Sequence, residues 1–244
     1  MNPFHTQFEA RIERIAAQTH PMQAGKTGSS RPLRWPSFQI CLCFVLCPLF
    51  GSLEGSAQVP NGSFENWTDC EPTGWASGNV CGVFAPITKS STAQTGSFAA
   101  RGEVINFFGQ SIGPVLQSGA EGTGFAISER FASVEGSHMF QPVGGDRFGV
   151  NVAFYKDGKV VAQGAVAMAT SAPSYTPFKV IMNYVSQAIP DNAVIQIMIV
   201  GLVTGSDFHL GSVMFVDAVS FGSSRIGHIS GWLDNRTGSN AMNC

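Results

Sequence analysis

Two acids stand where apolar side chains are expected. Glu65 lies between Phe64 and Trp67 in an opening run, Val59 to Trp67, that reads as a strand entered through the turn residues Pro60, Asn61 and Gly62. Asp217 lies in the closing run Val213 to Phe221, on the face that Val213, Phe215, Val219 and Phe221 would share. A carboxylate among apolar groups is costly unless it is paired, hydrogen-bonded or protonated. A hard cation would serve both acids at once, since calcium takes roughly six to eight oxygens from carboxylates and loop carbonyls. The alternatives are pairing with Arg101 or Arg147, or strand ends that place both acids in water.

Catalytic signatures are scarce. His138, His209 and His228 are far apart in sequence, with no metal-binding spacing, and no Gly-x-Ser-x-Gly elbow occurs. Glu121, Glu129 and Glu135 border glycine-rich stretches and are the carboxylates that a glycosidase pair would use; solvated loop charges are the plainer reading. Cys70 and Cys81 have no histidine near them, so a disulfide that closes the loop after the opening strand is expected, stabilising by roughly 2–3 kcal/mol on the chain-entropy model. Cys244 is left over.

The elements that must position these groups are strands. The 244 residues are 44% hydrophobic and only 12% charged, with 28 glycines, which favours short strands joined by tight turns over helices. Residues 1–57 read as a leader. Phe38 to Phe50 is a thirteen-residue apolar run that follows Lys26, Arg31 and Arg34 and precedes Gly55-Ser56-Ala57. That is the order of a signal peptide cleaved after Ala57, with Met22 a more ordinary start than Met1. The remaining chain has nine Lys/Arg against thirteen Asp/Glu, a net charge of −4. It carries no basic footprint for nucleic acid and no basic amphipathic stretch for a membrane surface, so membrane contact is expected through the cleaved leader alone.

Residues 58–222 are expected to form one domain and 223–244 a polar tail. Phe148, Val150, Val152 and Phe154 alternate strictly with polar or small residues, and Asp157-Gly158 is a hairpin turn leading to a return strand, Val160 to Met168. Tyr175 to Tyr184 alternates again, and Val194 to Val200 reads as a central strand. Val80 to Ile87, Ser97 to Arg101 and Phe125 to Val134 are further candidate strands, while Glu103 to Gly124 reads as an irregular loop anchored by Ile105, Phe107, Phe108 and Ile112. Such a long loop tends to be functional or mobile. Eight or nine strands without a helix imply an all-β, antiparallel β-sandwich of the jelly-roll kind.

Several stretches carry a resemblance. Asn61-Gly62-Ser63-Phe64-Glu65, Pro72-Thr73-Gly74-Trp75 and Thr95-Gly96-Ser97-Phe98-Ala99-Ala100-Arg101 resemble the opening blocks of galactose-binding-like carbohydrate-binding modules. Gly124-Phe125, Glu129-Arg130, Gly144-Gly145-Asp146, Ser174 to Phe178, Pro190-Asp191, Gly211-Ser212 and Val216-Asp217 resemble the carbohydrate metabolism domain of exported Bacteroidetes-type proteins. The resemblance implies a jelly-roll sandwich, export and a structural calcium held by acids that map onto Glu65 and Asp217. Ala218 departs from it, because the family closes with two acids in a row. Ser137 to Phe140 departs where relatives carry tyrosines.

The function expected is a secreted or cell-surface, non-catalytic and monomeric module that binds glycan. Arg130, His138, Phe140, Asn151 and Tyr155 would line one exposed sheet face or its rim, with aromatic rings against sugar C–H faces and polar groups on hydroxyls. A structural or adhesive protein that binds other proteins is the alternative, with a glycan hydrolase behind it.

Overall fold

The computed structural model describes residues 58–201, 205 and 207–222. The leader and the polar tail therefore lie outside the described residues, and with them Cys244 and His228. Sixteen strands follow in chain order: β1 (Trp67–Thr68), β2 (Glu71–Pro72), β3 (Trp75–Ser77), β4 (Ile87–Ser90), β5 (Ala99–Glu103), β6 (Ile105–Phe107), β7 (Gln110–Ile112) and β8 (Val115–Ser118) form the first half. The second half is β9 (Phe125–Ala126), β10 (Ser133–Gln141), β11 (Arg147–Lys156), β12 (Lys159–Met168), β13 (Ala172–Ile181), β14 (Asn183–Tyr184), β15 (Asn192–Val200) and β16 (Val213–Phe221).

These build an antiparallel β-sandwich. One sheet has the order β13-β10-β16-β5-β4, and the larger one β14-β12-β11-β15-β8-β3, with β9 also on β15. Consecutive strands repeatedly change sheet, as in a jelly roll. Phe148, Val150, Val152 and Phe154 of β11 and Ala193, Ile195, Ile197 and Ile199 of β15 face inward, all buried, against Met214 and Val216 of β16 and Val134 and Phe140 of β10. The period of two places alternate residues in the core, which is why the alternation of β11 was readable in advance. Asp157 and Gly158 both have positive φ (49° and 73°), as a two-residue hairpin between β11 and β12 requires.

The opening segment is a turn, not the expected strand. Only Trp67 and Thr68 are extended; Asn61 and Phe64 adopt left-handed backbone, with φ of 44° and 52°. The Asn61 side chain organises this turn by donating to the carbonyls of Asn66 and Thr73 and accepting from the Asn66 N–H. Phe64 then plugs the core beside Trp75, their centroids 5.2 Å apart. Val80 to Ile87 is also no strand. It is a turn closed by a single Val80–Phe84 bridge before β4 begins, and the buried Asn79 amide bonds both Cys70 and Ile87 carbonyls beneath it. Cys70 and Cys81 are joined, with Cα atoms 5.8 Å apart.

His138 and Phe140, expected on an exposed face, lie in the core. They share the inward parity of Val134 on β10, and His138 stacks on Phe148 with centroids 4.5 Å apart. A carbonyl can only accept, so the Nδ1–H of His138 donates to the Thr176 carbonyl at 2.9 Å. Burial lowers the His138 pKa, against a smaller upward pull from that carbonyl. A depressed folded-state pKa makes the neutral imidazole the stable form. Its contribution is therefore full above the unfolded-state value near 6.5 and declines as pH falls from there through the lower folded value. Thermal melts between pH 7.5 and 5 should show this decline, and His138→Phe should flatten that part of the curve; an unchanged slope in the variant would refute the assignment.

Candidate functional site

The two outer faces of the sandwich differ. That of the five-stranded sheet is partly covered, because the 90–98 loop lies over Asp217. The sequence placed Asp217 with Val219 and Phe221, but a bulge intervenes: the β10–β16 register shifts between Glu135 and Ser137, and Ala218 is left-handed (φ 54°). The bulge reverses the parity of the strand, so Met214 and Val216 point inward before it and Val219 after it. Asp217 is left on the outer side with Phe215, yet it is wholly buried. Its Oδ2 accepts the N–H groups of Gln94 and Thr95, each at 2.8 Å, and its Oδ1 accepts that of Ala218 at 2.6 Å. Glu65 Oε1 accepts the N–H groups of Ser97 and Phe98 at 2.9 and 3.0 Å. Tyr175 donates its hydroxyl to the Thr92 carbonyl at 2.7 Å; burial first and the Asp217 charge second push its phenol up to about 12. Neither acid uses the arginines considered for it. Arg101 instead pairs with Glu103 at 2.7 Å.

The outer face of the larger sheet carries side chains that present hydrogen-bonding groups to water. Register places Ala165, Asn151, Gln196, Gln117 and Ala76 side by side across five strands. Neighbouring strands lie about 4.8 Å apart, so this is a row of amides at a regular step. The next row has Asn183, Gln163, Ala153 and Val194, and the row on the other side has Ala167, Gly149, Met198 and Val115. None of these residues is charged. Gln196 donates its Nε2 to Gln117 Oε1 at 3.2 Å, and Gln117 in turn donates to the Gly122 carbonyl, which orients both amides. Asn151, Gln163, Ala165 and Asn183 are exposed. A carboxamide both donates and accepts, which suits a hydroxyl group, and the alanines and glycine leave the floor between the amides low.

Of the residues expected to line a binding face, Asn151 lies in this row and Tyr155 lies half-buried on the same side, at the end of β11 beside Asn192. Arg130 does not join them. Its guanidinium lies 4.0 Å from the centroid of Tyr184 and donates to the carbonyls of Ser186 and Ala188, so it straps the 184–188 segment. Gln117 and Gln196 escaped sequence reasoning because only the pairing of β8 with β15 makes them neighbours.

A second exposed feature is the β6–β7 hairpin, within the stretch expected to be an irregular loop. Phe108 sits at its tip, 91% exposed, with φ of 49°. It packs edge-on to Phe107, centroids 4.6 Å apart, and Phe107 packs on Phe84 at 4.7 Å. Ile105, Phe107 and Ile112 are half-buried and lie outside the buried core.

Among the candidate catalytic residues, Glu135 and His209 have defined partners. Glu135 bonds Lys179 at 2.8 Å and Ser133 at 2.9 Å, and these two hold its carboxyl below the usual carboxylate range, so it is an anion and no general acid. Asp146, Ser212 and His209 do converge. Both Ser212 Oγ–H and His209 Nδ1–H donate to the buried Asp146, at 2.6 and 2.9 Å. The serine is buried and its O–H is donated to the aspartate, not to the imidazole, so this is no nucleophile–base relay.

No protein-family model and no curated protein matches the chain. Solved structures similar to it include TmCBM61 in complex with β-1,4-galactotriose (TM-score 0.47, 13% identity, 68% of this chain and 99% of that one). Another is CBM28, a carbohydrate-binding module specific for non-crystalline cellulose (0.42, 16% identity, 67% and 93%). A third is the Stig cyclase Fisc from Fischerella sp. TAU (0.44, 12% identity, 67% and 96%). The likenesses are distant, and the β-sandwich assignment stands on the strand pairing itself.

Proposed function

We propose that the protein is an exported, non-catalytic carbohydrate-binding module that holds a glycan against the outer face of its larger sheet. The observation that carries this reading is the uncharged row Asn151–Gln196–Gln117 on that face. A polyhydroxylated chain laid across the strands would meet one amide per strand, and a neutral ligand pays no desolvation penalty against charged side chains there. The Cys70–Cys81 disulfide supports an oxidising compartment, hence export to the cell surface or beyond. A monomer is the expected state. The ten-residue edge strand β13 carries Pro173 and Pro177, and the edge strands β3, β4 and β14 have two to four residues, so strand addition by a second copy is blocked.

A glycan-array screen of the full chain tests the reading. Binding to neutral polysaccharides is expected, and Asn151→Ala should weaken it about three- to tenfold, the worth of one neutral hydrogen bond of roughly 0.5–1.5 kcal/mol. Binding that survives Asn151→Ala and Gln196→Ala together would move the site elsewhere, and no binding at high protein concentration would sink it. A protein-contact role is the second reading, favoured by the exposed Phe108 knob; it predicts that Phe108→Ser abolishes an association that both amide variants leave intact.

A further inference from the structure

We infer that the acid pair Glu65 and Asp217 is a cation-free clasp, in which main-chain N–H groups of the 94–98 loop take the place of calcium. The inference is independent of glycan binding. Four of the five N–H groups between Gln94 and Phe98 point at these two carboxylates, at 2.8–3.0 Å. The fifth residue is Gly96, in left-handed backbone (φ +66°), where an added Cβ would stand 2.2 Å from Glu65 Oε1. Such a run of converging N–H groups is an anion nest, filled here by the chain's own side chains.

Calcium makes the opposite demand. It needs roughly six to eight oxygens at about 2.3–2.6 Å, so a loop that helps to bind it turns carbonyls toward the site. A loop that turns N–H groups inward instead places positive dipole ends where the ion would have to lie. Asp217 is also saturated: besides Gln94 and Thr95, the Ala218 N–H reaches its Oδ1. The position that could supply a second acid is that alanine. Among the described residues, no three His, Cys, Asp or Glu side chains group as metal ligands would. The two buried or half-buried charges are thus met by peptide dipoles, and the clasp fastens an exposed loop over the five-stranded sheet.

The test uses the full chain with calcium alone as the probe. Melting curves in millimolar calcium and in chelator should superimpose, and calorimetric titration with calcium should give no binding heat. Asp217→Asn must turn an amide N–H toward a donor, because both carboxylate oxygens accept, and Glu65→Ala removes the one oxygen that accepts from Ser97 and Phe98, so each should lower Tm, by the same amount in calcium and in chelator. Backbone hydrogen exchange provides a readout that needs no variant: the amides of Gln94, Thr95, Ser97 and Phe98 should be protected in chelator. A Tm raised by calcium in the wild type and not in Asp217→Asn would overturn the inference, as would amides that become protected only when calcium is added.

Discussion

Gly62→Ala is expected to destabilise the protein by about 3 kcal/mol or more, read as a shift in the urea midpoint. The Cβ it introduces would lie 2.0 Å from the Val219 carbonyl oxygen and 3.0 Å from its carbon. Both are backbone atoms that no rotamer change can move aside. The same contact includes a hydrogen bond from the Val219 N–H to the Gly62 carbonyl at 2.8 Å, so separating the two segments also weakens that bond. Bulge residue Ala218 and the Asp217 clasp adjoin Val219, and Phe64 leaves the turn two residues after Gly62 to fill the core. Displacement of the opening turn therefore disturbs the register of the closing strand and the plug beside Trp75 together. Gly158→Ala is the control. Gly158 has φ +73° and nothing within 4 Å of its would-be Cβ, so only the left-handed backbone cost of roughly 1–2 kcal/mol applies. Equal effects at the two positions would show that the junction yields and that the close approach is not what fixes it.

Part of this architecture was legible in the chain. Phe148 to Phe154 alternates because one face of β11 is dry and the other wet, and Asp157-Gly158 supplies the two positive φ values that the hairpin needs. The run Val213 to Phe221 is a strand with the expected bounds, but its bulge was hidden, because nothing in Asp217-Ala218 announces a left-handed alanine. That one residue reverses parity, which is why Asp217 lies under a loop instead of inside the core. His138 misled for a related reason. A polar residue between Ser137 and Met139 suggests a wet face, yet inward parity counted from Val134 buries it, and a carbonyl on β13 satisfies its Nδ1–H. The binding face was half legible. Asn151 is visible as the polar member of an alternating strand, whereas Gln196 sits in a nearly continuous apolar run and Gln117 in a stretch that looked irregular. Their alignment is a property of strand order, and strand order is a long-range choice that local patterning does not encode.

Asp146 fastens another end of the sandwich, and Asp146→Ala is expected to cost about 3–5 kcal/mol. Its carboxylate is wholly buried and accepts three donors: the backbone N–H of His209 at 2.8 Å, the His209 Nδ1–H at 2.9 Å and the Ser212 hydroxyl at 2.6 Å. Ser212 Oγ in turn accepts the Val143 N–H at 2.8 Å, so one carboxylate joins the turn before β11 to the segment before β16. Alanine at 146 orphans these donors, and one of them, the Ser212 hydroxyl, is wholly buried. The partners should matter less than the acceptor. Ser212→Ala removes one donor and leaves the Val143 N–H unpaired, a loss of about 1–3 kcal/mol. His209→Ala should cost under about 1 kcal/mol, because the imidazole side chain is 46% exposed and its contact is screened, while the backbone N–H that holds the loop remains. The order Asp146→Ala, then Ser212→Ala, then His209→Ala, obtained from urea denaturation at one pH, tests whether main-chain and hydroxyl donors carry this junction. A His209→Ala loss as large as that of Asp146→Ala would assign it to the imidazole instead.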